Sequence, residues 1–246
     1  MPLQPWRKGI VTRIEEETWN TRRFWVKVPE VDNFDFLPGQ FVTLDLPIHE
    51  KPNRRWRSYS IASWPDGTNE FELLIVLLEG GLGTTYLFQE VSVGSELLLR
   101  GPQGVFILPP ALDRELYFIC TGTGIAPFRS MINHIERHNI PHQGLNLIFG
   151  TRSKRDLLYF EEFRALEERL PDFRFYPTLS REEWEGCCGY VHPVYEEQLR
   201  ARANGSGTLH PAHFYLCGWK AMVDEAKQRI LTFGYDKKDV TLELYG

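Results

Sequence analysis

The chain has 246 residues, of which 42% are hydrophobic and 25% charged, and its formal net charge is −5. This is the composition of a folded globular protein with length for one large domain or two ordinary ones; it excludes a low-complexity tail and a disulfide scaffold. The negative balance gives no global basic field for nucleic acid, and no apolar run is long enough to span a bilayer. The opening stretch, Met1-Pro2-Leu3-Gln4-Pro5-Trp6-Arg7-Lys8, lacks an apolar signal core, so a soluble cytoplasmic protein is the expectation. The four cysteines, Cys120, Cys187, Cys188 and Cys217, match neither zinc-site spacing nor the plant-type iron–sulfur loop. No metal and no cluster of the chain's own are expected, so a one-electron partner would be a separate protein.

Taken in order, the chain to about Leu108 reads as strands. Ile10–Ile14, Arg23–Val28, Gln40–Leu44, Phe71–Leu78 and Glu96–Arg100 are alternating or β-rich, with turns such as Pro38-Gly39 between them. Short strands at close spacing predict a closed or nearly closed antiparallel β-barrel. A helix fits at Thr84–Gln89, capped by Thr84 or Thr85. After Pro109-Pro110, strands alternate with amphipathic helices. Leu116–Cys120, Leu145–Phe149, Phe173–Tyr176, His213–Leu216 and Val240–Leu244 read as five strands. Phe128, Met131, Ile132 and Ile135 share one helical face, as do Met222, Val223, Ala226, Ile230 and Phe233. This pattern predicts βαβ units around a parallel five-stranded α/β sheet of Rossmann type. The expected domains are residues 1–110 and 111–246, and Ala203-Asn204-Gly205-Ser206-Gly207 reads as a loop.

Several stretches carry candidate chemistry. Arg57-Ser58-Tyr59-Ser60 follows the turn-like run Lys51–Trp56 and leads into Ile61-Ala62-Ser63, read as strand. Arg can clamp a phosphate, Tyr can cover a flat ring, and Ser can bond a ring nitrogen. The alternative is an edge strand with a solvated Arg and a packing Tyr. Strand alternation sends Arg57 and Tyr59 to one face and Ser58 and Ser60 to the other, so if Tyr59 and Ser60 serve one ligand, either the strand bends or the ring meets Ser60 edge-on. Gly80-Gly81-Leu82-Gly83-Thr84-Thr85 combines glycines, a helix start and a hydroxyl, either a second phosphate clamp or a hairpin turn with an N-cap. Thr121-Gly122-Thr123-Gly124-Ile125-Ala126-Pro127 joins a strand to a helix, where an α/β sheet binds a pyrophosphate; Pro127 stands where the usual fingerprint has its last Gly.

At the next strand ends stand Arg152 and then Ser180-Arg181, cations suited to a 2′-phosphate and thus to NADP(H) rather than NAD(H). Cys217-Gly218 ends the fourth strand on the same rim. Glu243-Leu244-Tyr245-Gly246 closes the chain. Of the seven histidines, His134 and His138 are four apart, lack a third ligand and read as helix surface.

In this order and spacing, the set resembles the ferredoxin–NADP⁺ reductase family over nearly the whole chain. Arg57-Ser58-Tyr59-Ser60 is similar to its flavin motif Arg-x-Tyr-Ser. The resemblance implies that Arg57 holds the FAD pyrophosphate, Tyr59 lies against the isoalloxazine and Ser60 approaches N5. Gly81-Leu82-Gly83-Thr84 resembles the second phosphate loop, and Gly122–Pro127 the NAD(P) pyrophosphate loop. Arg152 and Ser180-Arg181 match the 2′-phosphate positions of NADP-preferring members, with Tyr190 as a third contact. Cys217-Gly218-Trp219-Lys220-Ala221-Met222 resembles the Cys-Gly-x-x-x-Met segment beside the nicotinamide. Glu243-Leu244-Tyr245 resembles the plant-type ending, in which the Tyr ring covers the flavin until nicotinamide displaces it; Gly246 is an added residue. The implied fold is a flavin β-barrel followed by a parallel α/β nucleotide domain.

The implied activity is electron transfer between NADP(H) and a one-electron carrier, ferredoxin or flavodoxin, through FAD. In it, Ser60, Cys217, Glu243 and Tyr245 act at the reacting rings. Lys51, Arg54 and Arg55 form either a docking patch for an acidic carrier or a solvated loop. The alternatives are an oxygenase reductase component, a free-flavin reductase, or an electron-transfer subunit of a larger complex.

Overall fold

The computed structural model describes residues 4–203 and 209–245. The expected loop at Ala203–Gly207 lies outside them from Asn204 on, as does Gly246. Contacts divide the chain into two compact units, one of Met1–Leu108 with Ala126–His138, the other of Pro109–Ile125 with Asn139–Gly246.

The first unit is built on β1 (Trp6–Thr18), β2 (Thr21–Lys27), β3 (Phe41–Asp45), β4 (Trp56–Ser60), β5 (Glu70–Val76) and β6 (Glu96–Gln103). The six-stranded sheet runs β4-β3-β6-β1-β2-β5 with antiparallel pairing throughout. Its edges meet: Ile61, just past β4, bridges to Leu73 on β5, and the Ala62 amide donates to the Glu72 carbonyl at 2.8 Å. The sheet thus closes into a barrel. Because strand side chains alternate, one set per strand points inward. Val11, Phe24, Val26, Val42, Leu44, Phe71, Leu73, Leu97 and Leu99 make this core.

Local structure departs from expectation at three places. The run before Arg57 is a short helix, α1 (Pro52–Arg55), with Pro in its first turn, where a missing amide hydrogen costs nothing. The strand ends at Ser60, and Ile61-Ala62-Ser63 is not strand but the crossing from one barrel edge to the other. Helix α2 begins at Leu82 and ends at Gln89, with Gly81 as its N-cap residue. Neither Thr84 nor Thr85 caps it. The Thr84 hydroxyl is engaged inside the preceding turn, accepting from the Leu78 amide at 3.1 Å and donating to the Gly81 carbonyl at 3.2 Å.

Helix α3 (Ile125–Arg137) belongs by its contacts to this unit from Ala126 onward. Its apolar stripe, Phe128, Met131, Ile132 and Ile135, is fully buried. Beside the stripe, Arg129 is also buried and donates to the Ala62 carbonyl at 3.0 Å and to Glu72 Oε2 at 2.9 Å. Arg23 meets the same carboxylate through two bonds of 2.7 and 3.2 Å.

The second unit holds β7 (Glu115–Thr121), β8 (Leu145–Thr151), β9 (Phe173–Leu179), β10 (Cys187–Cys188), β11 (Ala212–Trp219) and β12 (Val240–Tyr245). All pairings are parallel, in the order β10-β9-β8-β7-β11-β12. The sheet has six strands, not five. The addition is the two-residue β10, too short for any alternation to reveal. Helices α4 (Phe160–Arg169), α5 (Val191–Ala203) and α6 (Lys220–Thr232) connect the strands. One core gathers Tyr117, Ile119, Ile148, Tyr195, Phe214, Leu216, Val223, Ala226 and Ile230. Strand order reverses between β7 and β11, and the carboxyl ends of strands at such a switch point are where open α/β sheets bind ligands.

Candidate functional site

In the first unit, Arg57 and the Gly81–Thr84 turn come together. A Cβ built on Gly83 would lie 3.0 Å from Arg57 Cγ and 3.1 Å from its Nε, so the guanidinium stem crosses directly over this glycine. Any side chain there would push Arg57 aside. Arg57 Nη1 is oriented by the Arg54 and Trp56 carbonyls, at 3.1 and 2.8 Å. Ser58 points away and shares a 3.0 Å hydrogen bond with Thr43, so it does not join Arg57. Leu82 opens α2 and is exposed.

Tyr59 packs against the barrel core, and its buried hydroxyl has no hydrogen-bond partner among the described residues. Burial pushes its pKa up to about 12, against the pull of the Arg57 cation. Ser60 is buried at the last position of β4, opposite Phe41. No register shift falls between Tyr59 and Ser60, which pair in turn with Val42 and Phe41; the chain changes partner from β3 to β5 only at Ile61. The cradle under Arg57 and the orphaned Tyr59 hydroxyl fit a nucleotide with an anionic linker and a polar group on its flat ring.

Of the three cations expected nearby, Arg55 is held by Asp45 through two bonds of 2.7 and 2.6 Å. That leaves Lys51 and Arg54 exposed on the surface.

In the second unit, Thr121 ends β7, Gly122–Gly124 forms a tight turn, and α3 follows. A Cβ on Gly124 would lie 2.5 Å from the Cys217 carbonyl oxygen. One on Gly218 would lie 2.5 Å from Thr121 Oγ1. Glycine at both positions therefore lets the Thr121-Gly122-Thr123-Gly124 turn press against the end of β11. The Trp219 amide adds a 3.4 Å bond to Thr121 Oγ1.

Cys217 is fully buried; burial, then Glu243 and Cys120, hold its thiol well above the ordinary range, opposed by a hydrogen bond from Tyr245. β12 pairs with β11 so that Cys217 stands opposite Glu243, and Trp219 opposite Tyr245. The chain's last strand thus lays its carboxylate and phenol beside the buried thiol at the switch point.

Arg152 and Ser180-Arg181 also converge. The Ser180 amide donates to the Thr151 carbonyl at 3.0 Å, its hydroxyl to the same oxygen at 3.2 Å, and the Arg181 amide to the Arg152 carbonyl at 2.9 Å. Both guanidinium groups are exposed and make no ion pair among the described residues. Tyr190, between β10 and α5, is exposed.

His134 is half-buried rather than on the surface. Burial and the neighbouring His138 lower its pKa. Among the described residues no group of three or more metal-ligating side chains forms. Two charged sites escaped sequence reasoning, Arg129 with Glu72 and a buried Glu115. Glu115, at the opposite end of β7, meets Arg202 at 2.6 Å, His210 at 2.9 Å and Asn146 at 2.8 Å. The available signal was a single charge inside an apolar run, as Glu72 sits in Phe71–Val76 and Arg129 in the α3 stripe.

The family of oxidoreductase FAD-binding domains matches residues 8–107, and that of oxidoreductase NAD-binding domains residues 118–228. Barrel, parallel sheet and these two matches define a flavin- and nicotinamide-nucleotide-dependent oxidoreductase. Ferredoxin–NADP reductase B of Sorangium cellulosum is 36% identical over 215 residues, covering 86% of this chain and 86% of that protein. The chain belongs to the ferredoxin–NADP⁺ reductase family. The anthranilate 1,2-dioxygenase electron transfer component of Acinetobacter baylyi is 32% identical over 200 residues; the match covers 80% of this chain but 54% of that protein. Among solved structures, a ferredoxin NADP⁺ reductase from Neisseria gonorrhoeae with bound FAD and NADP superposes with a TM-score of 0.80 at 25% identity, covering 97% of this chain and 98% of that one.

Proposed function

We propose that the chain passes electrons between NADP(H) and a small one-electron carrier, ferredoxin or flavodoxin, through FAD. The observation that carries the nucleotide choice is the zipped pair of strand exits presenting Arg152, Ser180 and Arg181 side by side, with both cations exposed and in no ion pair among the described residues. The carrier is supported by the match to a ferredoxin–NADP reductase over 86% of both chains. The flavin supplies the change from two-electron hydride chemistry to single-electron steps.

The chain's own groups bind and orient. Arg57, the Thr84 hydroxyl and the Gly81, Leu82 and Gly83 backbone hold the FAD pyrophosphate, with Ser58 on the outer face of the same strand. Tyr59 lies against the ring and Ser60 offers its hydroxyl to it. The Thr121, Gly122, Thr123 and Gly124 backbone takes the nucleotide pyrophosphate. Cys217 and Gly218 shape the nicotinamide pocket, Tyr245 gates it and Glu243 balances proton and charge. A cytoplasmic place of action is part of this reading; no helix among the described residues is long and apolar enough to cross a membrane.

The second reading, a reductase component of an oxygenase or a subunit of a larger electron-transfer complex, is supported by the similarity to the anthranilate dioxygenase component. Stopped-flow reduction by NADPH and NADH, followed by reoxidation with a panel of ferredoxins and flavodoxins, separates the two. Failure of every small carrier favours the second. In the same assay, Arg152→Ala with Arg181→Ala should raise KM for NADPH about tenfold or more per lost charge-assisted bond and leave NADH unchanged. Equal effects on both nucleotides would remove the 2′-phosphate assignment.

A further inference from the structure

All four cysteines are free thiols, but their settings differ. Cys120 and Cys217 are fully buried, Cys187 is half-buried and Cys188 is exposed. The last two are adjacent, and together they are the whole of β10. This strand pairs Cys187 with Thr178 and Cys188 with Leu179, and so pins the return of the loop that starts with Ser180-Arg181. Three further bonds complete the latch. The Gly189 amide donates to the Leu179 carbonyl at 2.7 Å, Thr178 Oγ1 to the Gly189 carbonyl at 2.9 Å, and Trp184 Nε1 to the Cys187 carbonyl at 2.7 Å.

An extended backbone sends neighbouring side chains to opposite faces, whereas a disulfide brings its two Cβ atoms to about 4 Å. The two thiols therefore cannot be joined while β10 stays paired. Glycines flank the pair on both sides, and Gly189 already has a φ of +98°, so the backbone is free to turn there.

We propose that Cys187 and Cys188 form a thiol-oxidation site for a hydroperoxide. Closure of a vicinal disulfide unpairs β10 and frees the far end of the loop, leaving Ser180 and Arg181 held only by their bonds to the Thr151 and Arg152 carbonyls. The consequence for nucleotide binding rests on the assignment of that loop to the 2′-phosphate. Cys188, exposed, attacks the peroxide oxygen; the O–O bond breaks, the first water or alcohol leaves, and Cys188 becomes a sulfenic acid. Cys187 then attacks the Cys188 sulfur, the S–O bond breaks and a water leaves. The dithiol loses two electrons and two protons, and the peroxide is reduced by two electrons. Burial and the neighbouring thiol raise the Cys187 pKa, which suits it to the resolving role rather than the first attack.

The test treats the purified flavoprotein with hydrogen peroxide and maps the products by mass spectrometry. The expected result is loss of two hydrogens on the peptide holding Cys187 and Cys188, reversed by dithiothreitol and absent in Cys188→Ser. Trypsin should cut after Arg181 faster in the oxidised protein, and KM for NADPH should rise about tenfold, as for one lost charge-assisted bond, with NADH unchanged. Irreversible oxidation of Cys188 with no disulfide, or a disulfide that leaves cleavage after Arg181 unchanged, overturns the proposal. A disulfide that opens the loop without altering either KM leaves the oxidation site standing and refutes the 2′-phosphate role of Arg181.

Discussion

Tyr245 and Cys217 show how much a single register decides. The β11–β12 pairing puts Glu243 opposite Cys217, and the Tyr245 hydroxyl bonds the buried thiol. A phenol held in this way can be moved aside at the cost of about one hydrogen bond. Tyr245→Ser should therefore strengthen binding of nicotinamide nucleotides, about two- to tenfold, with NADH gaining more than NADPH. Equilibrium titration and initial rates check this; unchanged affinity for both nucleotides would rule out the gate. At this scale, residue types were readable and contacts were not. Arg57 and Thr84 were picked out by their chemistry, but only the fold lays Arg57 over Gly83 and turns the Thr84 hydroxyl back from the first turn of α2 onto Leu78 and Gly81.

Helix α3 carries the lesson for elements. Its spacing of Phe128, Met131, Ile132 and Ile135 identifies a buried face, yet a periodic pattern says nothing of what will cover that face. The contacts place it with the barrel, although it follows directly from the Gly122–Gly124 turn. Arg129 then becomes the helix's anchor, bonded to Glu72 and to the Ala62 carbonyl just beyond Ser60. Arg129→Ala should cost about 3 kcal/mol, the lower end for breaking a buried ion pair, because Arg23 still meets Glu72. Urea denaturation measures the loss, and Arg129→Lys should recover only part of it, since a single ammonium cannot reproduce the guanidinium geometry. A loss below about 1 kcal/mol would mark the contact as ornamental. The two-residue β10 is the opposite case, an element set entirely by its neighbour β9 and invisible in its own sequence.

For the whole molecule, the pH response follows from buried and half-buried histidines in both units. Burial lowers the pKa of His213 below the ordinary 6.5; Asp239 acts against this and Arg114 with it. Burial lowers His192 too, with Glu225 opposing, and His134 shifts the same way. The unfolded chain binds these protons near 6.5, while the folded chain resists them. Stability is therefore complete above 6.5 and is lost as pH falls through the lower folded values. His213→Gln, which keeps a partner for Thr241, should flatten the acid limb of a melting-temperature profile; an unchanged limb would show that His213 does not contribute.

The barrel-then-parallel-sheet order, the strand-end placement of Thr121–Gly124, Arg152, Ser180-Arg181 and Cys217-Gly218, and the kinship those motifs express are all legible along the chain. Hydrophobic period and turn chemistry are local, and both are written in consecutive residues. Which strand ends touch, which charges are buried and which short segments pair follow from the folded arrangement alone. Those outcomes depend on residues far apart in the chain, as when Gly124 must be bare because the Cys217 carbonyl comes to lie against it.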